Sequence, residues 1–133
     1  MIKRTCLAAA LLLPVAALAK WDTFVTTDEA VVYADRSNAS RIGNVVRVTS
    51  VSDLKRPLTI EQGVVRSVVA VEEYDCGHRL LKVLSLNFHG GAKGEGKVVL
   101  PRTGGPGEWG PIEKGSLADS KLKVVCAWPL GPR

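Results

Sequence analysis

Residues 64–88 read Val64-Val65-Arg66-Ser67-Val68-Val69-Ala70-Val71-Glu72-Glu73-Tyr74, then Asp75-Cys76-Gly77-His78, then Arg79-Leu80-Leu81-Lys82-Val83-Leu84-Ser85-Leu86-Asn87-Phe88. The run Val64–Tyr74 is dense in Val, and Leu80–Phe88 is dense in Leu. Runs of this length and composition between turn residues read as strands. Asp75-Cys76-Gly77-His78 fits a tight hairpin turn, with Gly77 free to take a positive φ. A sheet protein is therefore expected around this hairpin.

Further strands flank it. Thr23–Thr27, Ala30–Ala34 and Asn44–Val51 carry β-favouring side chains, and Lys97–Leu100 closes the sheet before Pro101. Asp35 to Arg41 is turn chemistry, including the sequon-like Asn38-Ala39-Ser40. Ser52 to Pro57 reads as a polar connector with a Pro stop, and His89 to Gly96, with four Gly in eight residues, as a second hairpin. Pro101 to Pro111 is expected to be a long Gly-rich loop holding Trp109.

The C-terminal segment has two readings. Ser116-Leu117-Ala118-Asp119 resembles a capping box, and Ala118, Leu122, Val125 and Cys126 fall on one helical stripe flanked by Lys121 and Lys123. Leu122–Trp128 is also rich enough in β-branched residues for a final strand. Helix is the preferred reading.

The faces of the sheet pose a problem. Strict alternation puts Leu80, Leu84, Leu86 and Phe88 on one face with Lys82, and Leu81, Val83, Ser85 and Asn87 on the other. Val64–Tyr74 carries Val on both faces. One short helix cannot cover two faces, so a second body is expected, such as another copy of the chain. Leu84, Leu86 and Phe88 are the candidate dimer face.

The N-terminus sets the compartment. Lys3 and Arg4 precede an uncharged, mostly apolar stretch from Cys6 to Leu18, and Ala17-Leu18-Ala19 is a small-x-small cleavage site. Residues 1–19 read as a secretory signal peptide. Cleavage removes 19 of 133 residues and leaves 114, residues 20–133, the length of one domain. Lys3 and Arg4 leave with it, so 18 basic residues become 16 against 13 acidic ones, a net charge of +3. That mild excess contains no basic run, which disfavours nucleic acid as a partner. No second long apolar run provides a transmembrane helix. Lys20, not Cys, follows the cleavage site, so a periplasmic or secreted product without a lipid anchor is expected.

Cys76 and Cys126 remain after cleavage, an even pair in an exported chain. Such pairs usually form a disulfide; two buried free thiols are the alternative. A bridge closing about 50 residues contributes ~4 kcal/mol on chain-entropy grounds.

Catalytic motifs are weak. Gly91 to Lys97 fits G-x-x-x-x-G-K, but Val98 stands where Ser or Thr is needed, and a strand follows instead of a helix. His78 and His89 are the only histidines, in no metal-ligand spacing. Glu72, Glu73 and Asp75 could act as paired carboxylates, or simply pair with Arg79 and Lys82. No enzyme, metal or cofactor is expected. Arg47, Arg66 and Lys82 place positive charge on the central strands and suit an acidic partner, and Trp109 suits a binding hot spot.

The ordered motifs carry a resemblance. They are Trp21, Tyr33-Ala34-Asp35 with Ser37, Gly43-Asn44-Val45-Val46-Arg47-Val48, Arg66-Ser67, Tyr74-Asp75-Cys76, Arg79, Trp109 with Ile112, and Cys126. From about Trp21 to Trp128 this series resembles the surface-adhesin protein E family of Gram-negative bacteria. The resemblance implies an α+β fold: a six-stranded curved antiparallel sheet with a C-terminal helix, tethered to its concave side by Cys76–Cys126. It also implies a dimeric, non-catalytic module that binds host extracellular-matrix proteins or plasminogen. A periplasmic inhibitor or chaperone-like partner, for example of host lysozyme, is the alternative, with Gly104–Trp109 as the inserting loop.

Overall fold

The computed structural model describes residues 21–102 and 107–130. The expected signal peptide, and Gly104 and Gly105 of the Gly-rich loop, lie outside the described residues. Among the described residues eight strands precede one α-helix: β1 (Asp22–Thr26), β2 (Ala30–Ala34), β3 (Ser40–Ile42), β4 (Val45–Ile60), β5 (Gly63–Asp75), β6 (Leu80–His89), β7 (Val98–Arg102), β8 (Gly110–Pro111) and α1 (Leu117–Ala127). The sheet runs β1-β2-β4-β5-β6-β7, a path of six strands, with β3 added to β4 and β8 to β6. The pairings are antiparallel.

The core lies between α1 and one face of this sheet. Val46 and Val48 of β4, Val32 and Ala34 of β2, and Tyr74 of β5 meet Leu122 and Val125 of α1, with Phe24 and Ile112 closing the sides. Alternate residues of β4 are buried because successive side chains point to opposite faces. Each buried Val contributes about 1.5–3 kcal/mol. The helix reading of the C-terminal segment holds. Ser116 Oγ accepts the Asp119 N–H at 3.1 Å, and Asp119 Oδ2 accepts the Gly115 N–H at 3.0 Å, so donors at the helix start are satisfied.

Several local expectations change. Ser52–Pro57 is strand, not connector: β4 runs on to Ile60 and turns through Glu61 and Gln62 into β5. Pro57 is tolerated because the β4–β5 register breaks between Asp53 and Leu58, so no ladder needs its missing N–H. Ser40 and Arg41, expected as turn, are strand: Ser40–Ile42 pairs with β4 after a short 3₁₀ turn that Asp35 caps. The ends of the expected 101–111 loop are strand as well, in β7 and β8. In the β5–β6 turn the left-handed residue is Arg79, at φ 55°, rather than Gly77. A Cβ at Gly77 would lie 3.1 Å from Asn44 Nδ2, so the Asn44 side chain would have to give by a few tenths of an ångström.

The faces differ from strict alternation. The β5–β6 register shifts between Val71 and Glu72, so Glu73 faces Lys82 and Tyr74 faces Leu81, but Ala70 faces Leu86 and Val68 faces Phe88. Leu86 and Phe88 therefore share the helix side with Leu81 and Val83, while Leu80 and Lys82 point to the outer side. One extra residue on β6, Leu84, reverses the pattern. The outer side is partly covered by the chain itself. The 90–96 connection lies across it: Ser67 Oγ donates to Gly91 O at 2.6 Å and accepts from Gly94 N at 2.9 Å, and Lys93 N donates to Asp53 Oδ1 at 2.6 Å. Val51, Val65 and Ser67 are fully buried on this side. A second copy is not needed to explain the burial of these side chains.

Candidate functional site

The uncovered half of the outer face carries a transverse row. Ser40 pairs with Arg47, Arg47 with Glu73, and Glu73 with Lys82. Arg47 Nη2 lies 3.3 Å from Glu73 Oε2, with the Arg side chain 42% exposed and the Glu 16%. Lys82 Nζ sits 5.6 Å from the Trp109 ring centroid, a cation–π contact of about 0.5–1 kcal/mol at an exposed site. Trp109 is held along β6 because Gly107 N donates to Val83 O at 2.8 Å and Gly110 pairs with Leu81. It stays 39% exposed, and Ile42, beside Val45 on β3, is 63% exposed.

Three of the four sequence candidates, Arg47, Lys82 and Trp109, thus share one surface. Arg66 does not join them: it is exposed near the start of β5 and points to the helix side. Leu84, Leu86 and Phe88 are half-buried on β6, with Leu86 and Phe88 on the helix side. Glu72 and Glu73 point to opposite faces, so they form no carboxylate pair. Their partners are not those expected: Glu72 pairs with Lys121, Glu73 with Arg47, Asp75 with His78, and Arg79 with Asp119. An open cleft of about 510 Å³ lies elsewhere, between Asp28, Glu29, Leu54, Arg56 and Leu58. Among the described residues no group of three or more His, Cys, Asp or Glu is arranged to hold a metal. No helix there is long and apolar enough to cross a membrane.

Cys76 and Cys126 are bridged, with Cα atoms 5.8 Å apart, which ties the β5–β6 turn to the last turn of α1. Around this bridge sit residues that sequence reading passed over. Arg41 Nη2 donates to Cys126 O at 3.0 Å and reaches within 3.9 Å of Cys76 Sγ. It supplies at the helix C-terminus the positive charge that the last turn lacks. Arg36 lies 5.4 Å over the Trp128 ring, which itself packs 5.5 Å from Phe24. A basic residue in a polar turn carries no sequence signal for such a role.

Asp119 Oδ1 accepts from Arg79 at 2.6 Å. The Gly115 N–H, then the Arg79 guanidinium and Lys123, hold its carboxyl well below the ordinary carboxylate range. The His78 backbone N–H and ring, with the Gly77 N–H, hold Asp75 below that range too. Burial, with the charge and hydrogen bond of Glu72 behind it, pushes the Tyr74 phenol up.

Comparison with known proteins agrees with this architecture. No curated protein matches the chain. Crystal form II of Haemophilus influenzae protein E aligns at a TM-score of 0.65 and 16% identity, over 86% of this chain and 92% of that one. Protein E from non-typeable Haemophilus influenzae aligns at 0.62 and 16% identity, over 86% and 80%. At that identity the likeness is one of fold. The sequence itself matches the family described as surface-adhesin protein E over residues 21–127, and the chain belongs to that family.

Proposed function

We propose that this chain is an exported, non-catalytic protein-binding module of the adhesin kind. Its contact surface is the outer face around Arg47, Lys82 and Trp109. One observation carries the reading: the basic and aromatic side chains of this row face solvent while their carboxylate partner is tucked in, Arg47 being 42% exposed against 16% for Glu73. An exposed Trp beside cations suits an acidic segment of a partner protein. Host extracellular-matrix proteins and plasminogen are the ligands to test first. The inhibitor reading is weaker, because Trp109 is tied back along β6 rather than carried on a free loop.

The test is binding of mature protein to immobilised matrix proteins and plasminogen at two salt concentrations. Capture that weakens with salt, and is lost in Arg47→Ser/Lys82→Ser/Trp109→Ala, supports the site. Unchanged capture by that variant rejects it. A homodimer through β6 belongs to the same reading, with Leu84, Leu86 and Phe88 as its contact residues.

A further inference from the structure

β4 (Val45–Ile60) outruns its neighbour β2 (Ala30–Ala34). Their pairing stops at Ala30 and Leu54, with a last bond from Lys55 N to Glu29 O at 2.9 Å. From Leu58 to Ile60 the strand beside β4 is β5 alone, on one edge. The outer-face residues of β4 turn their backbone groups toward β2: Thr49 O accepts from Asp35 N at 3.2 Å, and Lys55 N donates to Glu29 O. Residues on one face of a strand share one edge for N–H and C=O. Leu58 pairs with Val65 and Ile60 with Gly63, and Val65 is buried on the outer side. The N–H and C=O of Leu58 and Ile60 therefore turn to the edge beyond the end of β2.

The cleft of about 510 Å³ between Asp28, Glu29, Leu54, Arg56 and Leu58 opens along this edge. Leu58 is 50% exposed, a large apolar side chain in the cleft wall. The lining holds two carboxylates against one guanidinium. None of the three forms an ion pair among the described residues. Proteins blunt open strand edges with bulges, proline and charge. Here the slip in register after Asp53, Pro57, and the charges of Lys55 and Arg56 all precede Leu58. They end the pairing with β2 and leave the Leu58–Ile60 edge open.

We propose that this edge takes up an extended segment of a partner protein as an added strand, antiparallel to β4 and in line with β2. Main-chain bonds to Leu58 and Ile60 supply affinity, and the cleft selects side chains. The added segment runs from Ile60 back toward Glu29. Its residues opposite Ile60 and Leu58 lie on the outer face, where an apolar side chain meets Leu58. A basic side chain next but one along reaches Asp28 and Glu29. The segment is internal to its chain, because a terminal carboxylate would meet those same carboxylates. This surface is separate from the row of Arg47, Lys82 and Trp109, which crosses the other end of β4.

The probe is a capped peptide, acetyl-Thr-Val-Thr-Val-Thr-Lys-amide, added to isotope-labelled mature protein. Slowed amide exchange at Leu58 and Ile60 is expected, with no change at Arg47. N-methylation of the two Val residues of the peptide, whose N–H groups face β4, should weaken binding by about tenfold or more through lost hydrogen bonds. Changing its Lys to Glu should weaken binding as well, and so should Leu58→Lys in the protein. Arg47→Ser/Lys82→Ser/Trp109→Ala should bind the peptide as the wild type does, which keeps this test apart from that of the other surface. Unslowed exchange at Leu58 and Ile60 in millimolar peptide overturns the proposal. So does undiminished binding of the N-methylated or Glu peptide, or by Leu58→Lys. Protection of the same amides by the protein alone, rising with its concentration, would assign the edge to a second copy and also overturns it.

Discussion

Lys121 Nζ on α1 lies 2.8 Å from Glu72 Oε1 on β5, and both side chains are buried, 9% and 6% exposed. The carboxylate is fully engaged: Ser50 Oγ donates to Oε1 at 3.3 Å and Tyr74 OH donates to Oε2 at 3.1 Å. Helix and sheet are thus joined by a polar cluster inside an otherwise apolar contact. Such a pair contributes little net stability, because desolvation offsets the attraction, but losing one member leaves a buried charge alone.

Lys121→Ala should therefore lower unfolding free energy by about 3–5 kcal/mol. Glu72→Gln/Lys121→Met, which removes both charges and keeps an amide oxygen to accept from Ser50 Oγ, should cost far less. Urea unfolding of the two variants decides the point; equal losses would mean that side-chain packing, not charge, matters.

Cys126→Ala should cost about 2–5 kcal/mol, the usual loss for a native disulfide in a small exported domain. The ion pairs at Lys121 and Arg79 should keep α1 formed at low temperature. Circular dichroism would show retained helix with a lowered Tm, and loss of the helix signal at low temperature would contradict this.

Stability should fall at both extremes of pH. The Asp119 carboxyl is depressed in the folded protein, so its contribution is present above the ordinary value of 3.8 and lost as pH falls below it. The Tyr74 phenol is raised, so its contribution is present below about pH 10 and lost as pH climbs beyond. Thermal melts should show a shallower acid limb in Asp119→Asn and a shallower alkaline limb in Tyr74→Phe. Limbs identical to wild type would assign the pH dependence to other groups.

Gly94→Ala should destabilise by about 1–3 kcal/mol. Its φ is +72°, and a Cβ would meet Val69 Cγ2 at 2.7 Å, pushing the 90–96 connection off the outer face. Faster hydrogen exchange at the amide of position 94, which donates to Ser67 Oγ in the wild type, would accompany the loss. An unchanged Tm would show that the connection yields at no cost.

Sedimentation at micromolar concentration should show a dimer, and Phe88→Glu should dissociate it. The contact would lie on the helix side of β6, beside Val68 and Leu86. A monomeric wild type would refute this.

The pattern of local residues was enough for much of the fold. Ala30–Ala34 and Leu80–Phe88 declared themselves by β-branched and apolar density, the helix by Ser116 with Asp119 and the Leu122–Val125 spacing, and the disulfide by a two-cysteine count in an exported chain. These features act over one turn of chain or follow from compartment. Three others depend on which strands become neighbours. The extra residue at Leu84 moved Leu86 and Phe88 to the helix side, a reversal that shows only once β6 is set against β5. Lys121 reads as a solvated flank until Glu72 is brought beneath it from 49 residues away. Arg47, Lys82 and Trp109 come from three separate segments, and only cross-strand register placed them in one row apart from Arg66. A side chain's local preference is written in its neighbours along the chain; its partner across the sheet is set by register and bulges.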